Sequence, residues 1–147
     1  MKRSLIVATA VLATLLMGST AALADSPHIV GVATTSVSDD SITFSASVAG
    51  LGNATTADFG WNGTIDVSSR CYTRSGNKPQ AANKQESINV DATTTSNVGR
   101  NGRATATLTV TPLSTLTCPG GQHVVIESVT YNLVLTYMGD TLFTFTS

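Results

Sequence analysis

From Ser41 onward, hydrophobic and polar residues take turns along the chain. Ile42, Phe44, Ala46 and Val48 alternate with Thr43, Ser45 and Ser47, the period-two pattern of a strand with one buried and one wet face. Phe59, Trp61, Gly63, Ile65 and Val67 repeat the pattern, and Cys71 falls in phase with them. Ile88, Val90 and Ala92 make a shorter run. Ala104, Ala106, Leu108 and Val110 interleave with Thr105, Thr107, Thr109 and Thr111, and Pro112 ends that ladder because it has no amide hydrogen to donate. Residues 122–138 are apolar and β-rich but too long for one straight strand, so a bend or bulge is expected near Tyr131-Asn132. Gly139-Asp140 reads as a two-residue hairpin turn into Thr141–Thr146.

Turn signals sit between these runs, at Gly50-Leu51-Gly52-Asn53 and Asn101-Gly102. No helical stripe of ten residues occurs after residue 24, and Ala81–Glu86 has room for one helical turn at most. About seven short strands at regular spacing predict an all-β fold, an antiparallel immunoglobulin-like β-sandwich, with a small β-barrel as the alternative. The likeness to immunoglobulin domains is architectural, since Trp61 precedes both cysteines instead of lying between them. The alternating Thr residues are those of an ordinary exposed strand face. Regular Thr-x-Thr spacing, which could template ice or glycan contacts, covers one strand only.

The front of the chain is of another kind. Lys2 and Arg3 precede an uncharged apolar run, Leu5–Met17, and small residues lead to Ala22-Leu23-Ala24 before Asp25. This is the layout of a cleaved export signal over 1–24, followed by a single domain over 25–147. The apolar run is shorter than the roughly 20 residues a membrane span needs. The protein is therefore expected to be secreted and extracellular. The whole chain has 8 basic and 9 acidic residues, a net charge of -1. Losing Lys2 and Arg3 makes the remaining domain mildly acidic, which excludes a strongly basic nucleic-acid binder.

An exported domain with two cysteines, Cys71 and Cys118, is expected to pair them as a disulfide. Catalytic constellations are thin. No Gly-x-Ser-x-Gly occurs, and Asp39-Asp40 sits in a turn where acids usually face water. His28 and His123 are the two imidazoles, and His28 lies too far from the expected cut for an N-terminal copper site. No catalytic residue, metal ligand or cofactor is assigned. Asn53-Ala54-Thr55 and Asn62-Gly63-Thr64 are formal glycosylation sequons, relevant only in a eukaryotic secretory pathway.

The most distinctive stretch is residues 68–85, SSRCYTRSGNKPQAANKQ. Arg70, Arg74, Lys78 and Lys84 bring four basic residues together with no acid before Glu86, beside Tyr72 as a stacking ring. Asn77, Gln80, Asn83 and Gln85 add paired donors and acceptors. Such a loop suits sulfate, phosphate or carboxylate groups, so Arg70, Tyr72, Arg74, Asn77, Lys78 and Lys84 are the candidate ligand-binding residues.

HIVG at 28–31, VAGLGN at 48–53, CYTRSGNKPQAANK at 71–84, RNG at 100–102 and CPGG at 118–121 resemble a family of small secreted actinobacterial-type proteins of unknown function. Its pattern after the first Cys is similar to a short polar run, Gly-Gly-Asn and Pro-Gly-Gln-Asn-Lys. Ser75 and residues 79–82 depart from that pattern. The resemblance implies a bacterial exported β-domain with one Cys pair, and points to the loop after Cys71. The leading expectation is a monomeric, non-enzymatic module whose partner is an anionic envelope or matrix polymer, or a surface protein. A structural or adhesive module working through an edge strand is the first alternative, favoured by an apolar exposed edge holding Phe143 or Phe145. An exported hydrolase or copper enzyme is the second, favoured if His28 and His123 converge.

Overall fold

A computed structural model of the chain describes residues 26–77 and 83–147. Seven strands run in chain order: β1 (His28–Val37), β2 (Ile42–Ala49), β3 (Thr56–Thr73), β4 (Asn83–Asn97), β5 (Ala104–Val110), β6 (Gln122–Tyr137) and β7 (Asp140–Thr146). They form two antiparallel sheets, β1-β2-β5 and β4-β3-β6-β7. The fold is thus a sandwich and not a closed barrel. Relative to the antibody constant-domain order, β4 has moved from β5 to the edge beside β3. The expected segment 1–24 lies outside the described residues.

The alternation read from the sequence decides which faces meet. Ile42, Phe44, Ala46 and Val48 of β2 and Ala106 of β5 bury against Phe59, Trp61, Ile65, Leu133, Leu135 and Phe145 of the other sheet. Trp61 is fully enclosed, and its Nε1 donates to Thr94 Oγ1 at 2.8 Å, which satisfies the one polar atom of the largest core side chain. Gly63 keeps the phase of this face, with φ at +149°. A Cβ there would run into the Asn132 carbonyl, so β3 and β6 approach closely only because the side chain is missing.

The structure changes several element readings. The 88–92 run is the centre of a strand reaching from Asn83 to Asn97, so Asn83–Glu86 are extended and not a helical turn, while 81–82 lie outside the described residues. A strand from His28 to Val37 precedes the first alternating run. Residues 122–137 are one continuous strand, and its irregularity falls earlier than Tyr131-Asn132. Ser68 pairs with Ser128 and Ser69 with Ile126, leaving Glu127 as the extra residue of a β-bulge. The hairpin turn is Met138-Gly139, one residue before the expected pair. Tyr137 faces Asp140, and φ is +52° at Met138 and +90° at Gly139, the two positive values that a type I′ turn requires.

Strand length positions everything that follows. β3, β4 and β6 have 18, 15 and 16 residues, whereas β2 and β5 have 8 and 7. The larger sheet therefore overhangs the smaller one at the end holding Ser68–Thr73, Asn83–Glu86 and Gln122–Glu127. Two segments cover part of the overhang, the β1–β2 turn and the connection between β5 and β6.

Candidate functional site

Residues directly opposite one another on neighbouring strands share a sheet face. Arg70 pairs with Asn83 and Val125, and Tyr72 pairs with His123, all on the solvent-facing side of the larger sheet. Lys84 pairs with Ser69, which is fully buried on the inner side. Of the basic residues singled out from the sequence, Arg70 and Lys84 thus lie on opposite faces of the sheet.

Each described cation that lies in a strand meets an acid. Arg70 Nε is 3.4 Å from Glu127 Oε2, and the Tyr72 hydroxyl donates to Glu127 Oε1 at 2.7 Å. Glu127 is the bulge residue, and the extra residue brings its carboxylate over the end of β3. On the inner side Lys84 Nζ sits 3.1 Å from Glu86 Oε1 and also donates to Thr115 Oγ1. Glu86 accepts from the Thr115 hydroxyl at 2.6 Å, the Ser114 hydroxyl at 2.7 Å and the Thr115 amide at 2.9 Å. These bonds, the Thr115 hydroxyl first and then Ser114, hold the Glu86 carboxyl down at about 2. Ser114 also joins the Ser69 hydroxyl at 2.7 Å.

Arg74 and Asn77 stand apart in the exposed turn after β3. Thr73 closes that turn, its N–H donating to the Asn77 carbonyl at 3.1 Å while its hydroxyl accepts from the Asn77 amide at 3.2 Å. Lys78 lies outside the described residues. The structure therefore brings Arg70 and Tyr72 together around Glu127, leaves Arg74 and Asn77 in solvent, and places Lys84 in a polar clasp under the β5–β6 connection.

That connection is fastened at several further points. Cys71 is bonded to Cys118 with their Cα atoms 5.6 Å apart, and Leu113 is fully buried. The Leu113 amide donates to Asp40 Oδ1 at 3.1 Å, and the Thr111 hydroxyl donates to the Asp40 carbonyl at 3.0 Å. Asp40 thus secures the connection, and Asp39 lines the cavity beside β6.

No catalytic site is evident among the described residues, and no group of three or more His, Cys, Asp or Glu there could hold a metal ion. His28 opens β1, with Nδ1 2.8 Å from the Ser26 carbonyl. His123 lies beside the far end of β1, on a cavity that Val37–Asp39 also line. Nine residues of extended strand span about 30 Å, so the two rings do not share a metal.

The feature that sequence reasoning missed lies along the opposite side of the sandwich from the clasp. β7 pairs with β6 only from Asn132 to Tyr137, and the last contact is Ser147 bonding the Tyr131 amide and carbonyl. From Gln122 to Thr130, β6 has no strand on that side among the described residues. Along a strand, the face a side chain takes is coupled to the edge its amide takes. Tyr131 faces the core, with its ring 5.1 Å from that of Phe44, and turns its amide to the β7 side. Val129, Ile126 and Val124 share its face, so their N–H and C=O groups point to the same open side.

Two cavities follow this seam. One, about 580 Å³, lies between β6 residues 123–129 and the Val37–Asp39 turn, and Val37 and Val124 are 51 % and 37 % exposed on it. The other, about 340 Å³, lies between Ala33 and Thr35 of β1 and Phe143–Thr146 of β7. Phe143 on the edge strand is 36 % exposed, while Phe145 is buried. The signal in the sequence is the apolar set Val124, Val125, Ile126 and Val129 within residues 122–138. What hides it is that the register of β7 on β6, Asn132 opposite Thr146 to Tyr137 opposite Asp140, is not written in a local pattern.

The smaller sheet carries a wider hydroxyl face than one Thr-x-Thr strand. Thr43 Oγ1 meets Thr109 Oγ1 at 2.9 Å and Ser45 Oγ meets Thr107 Oγ1 at 3.5 Å, with Thr34 and Ser36 alongside on β1. These cross-strand pairs stabilise the sheet.

No known family model matches the chain, and no curated protein does. Among solved structures it is similar to Spo0M, the sporulation control protein of Bacillus subtilis, at 14 % identity and a TM-score of 0.23. That alignment covers 80 % of this chain and 48 % of the other, so the chain spans about half of that protein's length.

Proposed function

We propose that the protein is an exported, non-enzymatic module that binds an extended polypeptide segment by adding it as a strand along the open seam between β1 and β6–β7. The observation that carries this reading is the length of β6 from Gln122 to Thr130 that has no strand partner on one side among the described residues, beside a cavity of about 580 Å³ lined by both apolar and polar side chains. Main-chain hydrogen bonds to an open edge give affinity, and pockets for alternate side chains give selectivity. The exposed Phe143 on the edge strand supports the same reading. A disulfide-bonded small β-domain suits an extracellular setting. The anionic-polymer reading draws less support, because Arg70 and Lys84 each already face a carboxylate.

The test is amide hydrogen exchange of the domain with and without eight-residue peptides of alternating Val and Thr. Slowed exchange confined to Val124, Ile126 and Val129 is the expected result. Unchanged exchange, together with polyphosphate binding that Arg74→Ala abolishes, would return the function to the basic loop.

A further inference from the structure

The open stretch of β6 reads Gln122-His123-Val124-Val125-Ile126-Glu127-Ser128, and it is close to a palindrome in chemical type about Val125. A second copy brought alongside in antiparallel register, with a twofold axis at Val125, sets Val124 opposite Ile126 and His123 opposite Glu127. Each pair occurs twice. Val124 and Ile126 are the residues whose amides face the open edge, so they would form the hydrogen-bonded pairs of an antiparallel ladder, with the two Val125 residues as the close non-bonded pair. Their side chains lie on the inner face, over the cavity that Val37 borders. His123 and Glu127 lie on the outer face, where an imidazole would meet a carboxylate already fixed in place by Arg70 and Tyr72. Imidazole–carboxylate and apolar cross-strand pairs both favour this register, whereas a shift by one residue would put His123 against Ile126.

We infer that the segment added along the seam is this same stretch of a second copy, so that two larger sheets join edge to edge through β6 about a twofold axis at Val125. The inference rests on the strand-addition reading above and names its partner. It replaces the monomer expected from the sequence with a dimer whose interface is isologous.

Disulfide trapping and sedimentation test it on the domain from residue 25. In Val125→Cys the two sulfur-bearing residues face each other across the axis, within the 4.4–6.8 Å that a disulfide requires between Cα atoms. In His123→Cys the equivalent pair is about 13 Å apart along the strands. Val125→Cys is expected to form covalent dimer at least tenfold faster than His123→Cys at equal concentration. His123→Glu, which places four carboxylates at the axis, should raise the dimer dissociation constant at least tenfold, and His123→Lys should leave it unchanged or lower it. Equal trapping rates, or a domain that sediments as a monomer with no effect of His123→Glu, would overturn the twofold pairing. If the Val and Thr peptides still slow exchange at Val124, Ile126 and Val129, strand addition stands and only its partner is wrong. If they do not, both readings fall.

Discussion

The two long sides of the sandwich are made from similar alternating strands, yet one is fastened and the other is open. On the β4–β5 side, the Ser96 hydroxyl donates to the Thr105 carbonyl at 2.7 Å and ties the edge of one sheet to the other. Below it the β5–β6 connection lies against the overhang, fixed by the Cys71–Cys118 bond, by Leu113 and by the Glu86 bonds to Ser114 and Thr115. On the β1–β7 side no such connection exists among the described residues, and the overhang of β6 ends in unpaired backbone. The β5–β6 link is long enough to fold back over the sheet, whereas the β6–β7 link is a two-residue turn that lays no chain over the seam. Long unpaired edges invite pairing with another chain.

Breaking the fastened side should cost most. Reducing the disulfide, which closes a 47-residue separation, should lower unfolding free energy by about 4 kcal/mol on the chain-entropy account, read as the shift between oxidised and reduced denaturation curves. A shift under about 1 kcal/mol would mean that the connection is held without it.

Next comes the boundary between core and seam. Phe145 packs on Phe44 and Trp61 at 5.4 and 5.8 Å, while Phe143 sits at the rim. Phe145→Ala should cost about 3 kcal/mol and Phe143→Ala about 1 or less. Equal losses in urea denaturation would show the seam to be packed like the core.

The Glu86 clasp gives a pH signature. Its carboxyl is lowered from 4.5 to about 2 in the folded state, so the stabilisation is complete above pH 4.5 and disappears as pH falls from 4.5 through 2. The thermal midpoint should drop across that window in the native protein. Glu86→Gln should remove most of that dependence, and an unaltered slope would place the acid sensitivity elsewhere.

The smallest stability effect is expected at the open edge. Val124→Thr keeps the shape and is already solvated, so denaturation should move by less than about 0.5 kcal/mol. Association through β6 should nonetheless weaken severalfold by sedimentation. A loss of stability comparable to that of Phe145→Ala would mean that this edge belongs to the core.

Much of the fold was readable in advance because alternation is a local property. Ile42 to Val48, Phe59 to Val67 and Ala104 to Val110 each carry their buried face within a few residues, and Trp61 and Cys71 keep the phase of their strand. β1 was harder to see, because Gly31 has φ at +76° and the register with β2 shifts between Val30 and Thr34, which breaks the alternation. The basic loop read as one patch because its residues are neighbours in sequence. The register of β4 on β3, which sets Asn83 opposite Arg70 and Lys84 opposite Ser69, separates Lys84 from Arg70.

By itself, then, the sequence determined that this chain forms strands, which side of each is buried, and that two cysteines are available to pair. Each of these follows from residue type and a two-residue period. Only the tertiary structure decided that Glu127, 55 residues beyond Tyr72 in the chain, sits among the loop's charges, and that Glu86 and Lys84 are folded under a connection. It alone decided that β6 outruns β7. Register, bulges and relative strand length are set by the packing of the whole sandwich, and no local pattern records them.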